Sequence, residues 1–182
     1  MDLSPKLAEC PVFVTGADGF VGSHLVDKLI EEGANVHAFV RATSSGELQN
    51  IRHHADELTL HRGDLRDKHS VETALKSLKP HSDSLIFHLG AQAHVGESWQ
   101  RPYETIDTNI TGTLNLLQSV IDLDLDIAKF DTAGTSEEYG NVKEEMVESH
   151  EFDGDDRVLL SERSPVNPTS VYATSKLAAD FL

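Results

Sequence analysis

The chain has 182 residues, 15 basic against 31 acidic side chains and a formal net charge of −16; it is long enough for a sizeable core and too acidic for a nucleic-acid partner. No apolar run approaches the length of a membrane span, and Met1–Glu9 lacks a basic segment followed by an apolar one, so neither a membrane partner nor a secretory signal is expected. The single cysteine, Cys10, excludes an internal disulfide and fits a reducing cytoplasm; at the start of an apolar run it reads as a core-packing residue rather than a nucleophile.

Apolar, strand-like runs occur at 12–15, 35–40, 58–60, 84–89 and 127–132, and amphipathic, helix-like stretches at 20–32, 46–55, 68–78 and 103–123. The alternation predicts an α/β fold of the doubly wound, Rossmann type: a parallel sheet with helices on both faces. Right-handed crossovers then give strand order 3-2-1-4-5, with ligands at the carboxyl ends of the strands. Gly33 follows the first helical stretch as a stop signal. Residues 137–163 hold ten acids against Lys143, Arg157 and Arg163, and the tract of about 141–166 reads as a solvated acidic loop within one domain spanning 1–182. Asn167-Pro168-Thr169 is expected to cap a last helix, Ser170–Leu182. The sequence stops inside that helix, where a doubly wound domain would continue with another strand; the expectation is an N-terminal portion of a longer protein whose substrate region lies beyond it.

Thr15-Gly16-Ala17-Asp18-Gly19-Phe20-Val21-Gly22 joins the first apolar run to the first helical stretch. Strand, glycine turn and helix in this order let the backbone approach a pyrophosphate, with the free N–H groups of the helix start aimed at it. The turn therefore points to a nicotinamide dinucleotide held at Gly16, Gly19, Phe20, Val21 and Gly22. The second apolar run ends in Arg41-Ala42-Thr43-Ser44-Ser45, with no acid to bond a ribose 2′-hydroxyl. Arg41 with Ser44 suits a 2′-phosphate and favours NADP; Arg41 stacked on the adenine would leave NAD open. Asp64, in Gly63-Asp64-Leu65, could accept from an adenine amino group.

Two further pieces carry chemistry. Thr135 and Glu137 follow the fifth apolar run, at the strand end where reactions are expected, and can face a substrate hydroxyl and a substrate proton. Tyr172 and Lys176 stand four residues apart on one helix face. A phenol, with a reference pKa near ~10, becomes a usable base when an ammonium group favours the phenolate. His53-His54 and His88/His94 have no acid or cysteine at ligand spacing, so no metal site is expected.

The glycine turn, Asp64, His88-Leu89-Gly90-Ala91-Gln92-Ala93-His94-Val95, Asn109 with Gly112-Thr113, Thr135-Ser136-Glu137 with Tyr139-Gly140, and Tyr172 with Lys176 together resemble an extended short-chain dehydrogenase/reductase of the nucleotide-sugar epimerase/dehydratase family. The likeness runs from Val12 to Leu182. Thr-Ser-Glu resembles the GDP-mannose 4,6-dehydratases, where dTDP-glucose dehydratases have Thr-Asp-Glu and epimerases usually lack the acid. Two departures stand out: the long acidic segment between Gly140 and Tyr172, and Arg41 alone where the mannose enzymes often carry a second arginine.

The resemblance implies a nucleotide-sugar substrate and a cofactor that ends each cycle as it began, with Leu65, Leu89, Ala91 and Gln92 joining Tyr172 and Lys176 at that cofactor. It implies that Tyr172 takes the C4 hydroxyl proton, Thr135 orients the C4 oxygen, Lys176 holds the phenolate and the ribose, and Glu137 removes the C5 proton before water leaves C6. Asn109 is expected to brace the backbone. Epimerisation, or a cofactor-binding fragment without turnover, is the alternative. The family also implies a homodimer or higher homo-oligomer, through the helical stretches 103–123 and 170 onward.

Overall fold

A computed structural model describes residues 7–8, 10–42, 48–141, 151–152 and 158–182. They fall into two compact units, one of Met1–Ala91 with Thr111–Ala133 and one of Gln92–Ile110 with Gly134–Leu182. No helix among the described residues is long and apolar enough to cross a membrane.

The first unit is a five-stranded, all-parallel sheet made of β1 (Pro11–Thr15), β2 (Asn35–Arg41), β3 (Leu58–Gly63), β4 (Ser84–His88) and β5 (Ile127–Thr132), in the expected order 3-2-1-4-5. β1 is central and wholly buried, which is why Pro11-Val12-Phe13-Val14-Thr15 reads as a continuous apolar run rather than an alternating one. Its side chains alternate between two cores. Val12 and Val14 pack with Val26 and Leu29 of α1 (Phe20–Glu31) on one face of the sheet. Phe13 packs on the other with Val71, Ala74 and Leu75 of α2 (Lys68–Leu75) and Leu116 of α5 (Gly112–Asp122).

The second unit contains α3 (Val95–Gln100), α4 (Pro102–Ile106) and α6 (Val171–Asp180), a 3-10 turn at Ser136–Tyr139, and the antiparallel pair β6 (Glu151–Phe152) and β7 (Val158–Leu159).

The structure corrects three expected elements. The helix expected at 46–55 is, over its described part, a turn with only a short 3-10 segment at Arg52–His54. Leu48, Ile51 and Ala55 match a helical period, yet of the three only Ile51 is fully buried, so there is no apolar stripe to hold a helix. The stretch 103–123 is broken into α4, a π-helical turn at Asp107–Thr111, and α5. The break lies around Asn109, whose side chain is bonded outside the helix, as is usual where a π turn accommodates a functional constraint. The last helix is capped by Ser170, whose Oγ accepts from Ala173 N at 2.9 Å, and not by Asn167-Pro168-Thr169. Helix α3 was not expected; at six residues it is too short to show a period.

Candidate active site

In the first unit the glycine turn leaves β1 with Gly16 at φ 67°, a left-handed conformation that favours glycine. Its N–H donates to Phe39 O at 3.1 Å, and its O accepts from Gly19 N at 3.0 Å. A Cβ on Gly16 would come within 2.9 Å of the Gly90 backbone, and one on Gly22 would overlap the Gly16 carbonyl oxygen. The turn is thus closed on itself and on the strand end after β4. Gly19 caps α1 without a side chain, the first turn carries no acid, and the side chains of Phe20 and Val21 are exposed. The helix start is open to an anion, as a pyrophosphate requires.

Behind the turn, Thr15 Oγ1 accepts from Gly90 N at 2.9 Å and lies 2.7 Å from His88 Nδ1, while His88 Nε2 lies 2.9 Å from Thr113 Oγ1. His88 is buried and ties β1, β4 and α5 together. Leu89 and Ala91 are half-buried after β4, and Leu65 is buried, with its carbonyl oxygen accepting from Asn115 Nδ2 at 2.8 Å.

Arg41 ends β2, exposed and in register with Gly63 of β3. Ser44 lies outside the described residues, as does most of the acidic tract. Asp64 accepts from Arg66 Nη2 at 2.6 Å and from Arg66 Nε at 2.9 and 3.1 Å. The hydrogen-bonding Arg66 guanidinium holds the Asp64 carboxyl below the usual carboxylate range, with the charge of Arg41 acting in the same direction. Sequence reading placed Asp64 but missed Arg66, which lies two residues on.

In the second unit, Thr135 and the 3-10 turn Ser136–Tyr139 form one capped element. Thr135 N donates to Glu138 Oε1 at 3.3 Å, and Thr135 Oγ1 accepts from Glu137 N at 3.3 Å. The turn exposes Glu137 and buries Glu138. Gly140 follows at φ 61°, where a Cβ would overlap Asn167 O, and Asn167 N donates to Glu138 O at 2.8 Å.

Helix α6 packs on this turn and on α3 and α4. Tyr172 is half-buried and Lys176 is 6% exposed. Burial pushes the Lys176 ammonium below its ordinary range, against the pull of the Glu138 and Asp180 charges. Glu138 is pushed the other way, above the usual carboxylate range, by burial first and by Asp180 second. Sequence reading missed Glu138, because nothing local says which of two adjacent acids turns inward.

Asn109 is buried at the π turn. Its Oδ1 accepts from Gln92 N at 2.8 Å, and its Nδ2 donates to Gln92 O at 3.1 Å and to Ser175 Oγ at 2.9 Å. It therefore clamps the strand-end residue Gln92 and the helix bearing Tyr172 and Lys176, the bracing role expected of it. The Gln92 side chain is engaged locally, with Nε2 donating to His94 O at 3.3 Å and Oε1 accepting from Thr105 Oγ1 at 3.4 Å. A groove of about 430 Å³ lined by Trp99, Ile106, Pro168, Thr169, Ser170, Val171 and Thr174 runs along α6, but neither Tyr172 nor Lys176 lines it.

The sequence profile of the GDP-mannose 4,6 dehydratase family matches residues 13–182. The chain belongs to that family. It is 35% identical over 177 residues to a GDP-mannose 4,6-dehydratase of Vibrio cholerae, covering 93% of this chain and 43% of that protein. It is also 35% identical over 178 residues to the GDP-mannose 4,6 dehydratase of Homo sapiens, covering 93% and 44%. Among solved structures it resembles a Thermus thermophilus UDP-glucose 4-epimerase in complex with NAD, with TM-score 0.74 and 31% identity over 94% of this chain and 49% of that one. A Thermotoga maritima UDP-glucose 4-epimerase with UDP-glucose gives TM-score 0.74 and 32% identity over 94% and 49%. The chain spans less than half the length of these relatives. Membership agrees with the resemblance carried by the glycine turn, Thr135-Ser136-Glu137 and Tyr172 with Lys176.

Proposed function

We propose that this chain is the cofactor-binding and catalytic portion of a nucleotide-sugar 4,6-dehydratase acting on a GDP-mannose-type substrate with a bound nicotinamide dinucleotide. The observation that carries the reading is Thr135-Ser136-Glu137 on a capped turn packed against the helix of Tyr172 and Lys176, in a chain of this family. The residues present fit the cofactor. Gly16 and Gly22 leave no room for a Cβ, so the turn stays tight, and the open start of α1 can take the pyrophosphate. Gly16, Gly19, Phe20, Val21 and Gly22 would hold the phosphates. Arg41, with Ser44, would take a ribose 2′-phosphate, and Asp64, Leu65, Leu89, Ala91 and Gln92 would line the rest. A nicotinamide dinucleotide bound there would supply a hydride acceptor and donor.

The chain's own residues move the protons. Tyr172 takes the proton of the C4 hydroxyl while Thr135 orients that oxygen. Lys176, whose ammonium form favours the phenolate, has its pKa pushed down by burial and pulled back up by the Glu138 and Asp180 charges. The resulting 4-ketone acidifies the C5 proton, which the exposed carboxylate of Glu137 removes as water leaves C6. The proposed assembly is a homo-oligomer, for which the exposed Trp99, Tyr103 and Ile106 offer an apolar face.

Titrating this chain with NADPH and with NADH, read by nicotinamide fluorescence, is expected to show tighter NADPH binding. Incubating the full-length protein with GDP-mannose is expected to give a product lighter by one water, with solvent deuterium entering at C5. Glu137→Gln is expected to keep cofactor binding and lose that exchange. A product of unchanged mass would instead support epimerisation, the reaction for which the solved relatives are named.

A further inference from the structure

We propose that Asp27, His53 and His54 form a binding site for a divalent transition-metal ion of the zinc class. Asp27 lies on α1, and the two histidines lie on the short 3-10 turn between β2 and β3. His53 Nε2 and His54 Nε2 each lie 3.0 Å from the same carboxylate oxygen, Asp27 Oδ1. The three ligand atoms are all within 4.8 Å of one another. Around a tetrahedral ion with bonds of about 2.0–2.1 Å, neighbouring ligand atoms stand roughly 3.3 Å apart. An ion can therefore enter by small rotations of side chains that already converge. Two imidazoles and one carboxylate make a nitrogen-rich set, which suits zinc and its neighbours and not magnesium or calcium.

A second observation concerns the other nitrogen of His54. His54 Nδ1 lies 2.8 Å from Glu57 Oε1. Histidines that bind metal usually have the remote ring nitrogen held by a carboxylate, which fixes the ring and makes the ligating nitrogen more basic. Here that partner is present and the Nε2 atom is the one that faces Asp27. The His53 side chain is 54% exposed and that of Asp27 39%, so an ion can reach the site and keep a water as its fourth ligand.

In the sequence no acid or cysteine stands at ligand spacing with His53-His54, so a metal is not expected there. The fold supplies an acid from 26 residues away, Asp27 on α1. The site joins the β2–β3 connection to the helix that starts at the glycine turn. That connection is already tied to the turn by Asn50 Nδ2, which donates to Asp18 O at 2.9 Å. A bound ion would strengthen the tie between α1 and the 3-10 turn at Arg52–His54.

Without an ion the same contacts are hydrogen bonds, so metal binding itself is the discriminating readout. The chain is titrated with zinc chloride against a chromogenic chelator near neutral pH, and thermal unfolding is followed with and without zinc. One ion per chain is expected, with a higher unfolding midpoint. Asp27→Asn and His54→Gln are expected to weaken binding at least tenfold and to abolish the midpoint shift, and Glu57→Gln to weaken it about tenfold. Asp27 and Glu57 are on the surface and His54 is partly buried, and circular dichroism checks that each variant keeps its fold. Absence of zinc binding would overturn the proposal. So would equal binding by the parent chain, Asp27→Asn and His54→Gln, because the ion would then sit on other side chains.

Discussion

His37 makes the stability of the sheet sensitive to mild acid. It lies on β2 and is 5% exposed, with Nδ1 3.0 Å from Ser77 Oγ and 3.2 Å from His61 Nε2. Ser77 Oγ donates its one proton to Ala74 O at 2.7 Å, so toward His37 it can only accept, and His37 carries its proton on Nδ1. His37 Nε2 is buried without a hydrogen-bond partner among the described residues. Protonation would place an N–H there with nothing to receive it and a charge beside the stacked ring of His61, with His81 at 6.4 Å. Burial first, then the His61 and His81 charges, lower the His37 pKa from 6.5 to about 4. The unfolded chain therefore binds this proton more readily than the folded one. The contribution is complete above pH 6.5 and is lost as the pH falls toward 4. The loss amounts to about 3 kcal/mol at about 1.4 kcal/mol per pH unit, a large part of a domain stability of about 5–15 kcal/mol. The assay is denaturant unfolding of the parent chain and of His37→Phe over this pH range; the difference between them removes the background from the many carboxylates. The variant is expected to gain about 2–3 kcal/mol relative to the parent between neutral pH and the acid end. Parallel curves would refute the reasoning.

Gly22→Ala is expected to weaken NADPH or NADH binding at least tenfold and to cost about 1–3 kcal/mol in unfolding, because its Cβ overlaps the Gly16 carbonyl oxygen; fluorescence titration and unfolding read the two effects separately. Asn109→Ala strips partners from Gln92 N, Gln92 O and Ser175 Oγ, and is expected to cost about 3 kcal/mol, measured by denaturant unfolding. Glu138→Gln keeps an acceptor for Thr135 N and removes the charge that helps keep Lys176 protonated. In the full-length protein the alkaline limb of the pH–rate profile is then expected to move to lower pH; an unmoved limb would show that Glu138 does not act through Lys176.

What could be read from the sequence divides by the range of the interaction concerned. The sheet was legible because β1 to β5 are local apolar runs, and their order follows from the handedness of the crossovers. The glycine turn was legible because the contacts that demand its glycines lie largely within seven residues, between Gly16 and Gly22. The zinc-class cluster was not, since Asp27 meets His53 only after α1 and β2 have packed. The helix expected at 46–55 failed because matching a period is not burying a stripe. Asn109 was legible as a brace, yet the π turn around it was not, because that follows from its bonds to Gln92 and to Ser175, which is 66 residues away.

The sharpest case is the pair Glu137 and Glu138. In the sequence they are adjacent acids after a strand, and the first is favoured by its place two residues after Thr135 and by the resemblance. The capped turn separates them: Thr135 N holds Glu138 inward, Asn167 closes over its carbonyl oxygen, and Glu137 is left to solvent. A base that must take a proton from a substrate needs the exposed position and an ionised carboxylate. A carboxylate that only supports a buried lysine is best kept from water, where its field on Lys176 is least screened. In the proposed mechanism two neighbouring acids thus acquire different work from one turn of backbone, and exchanging their environments is expected to disable both. This division of work makes Glu137→Gln and Glu138→Gln separable: the first should stop C5 exchange at every pH, and the second should leave exchange intact and move only its pH range.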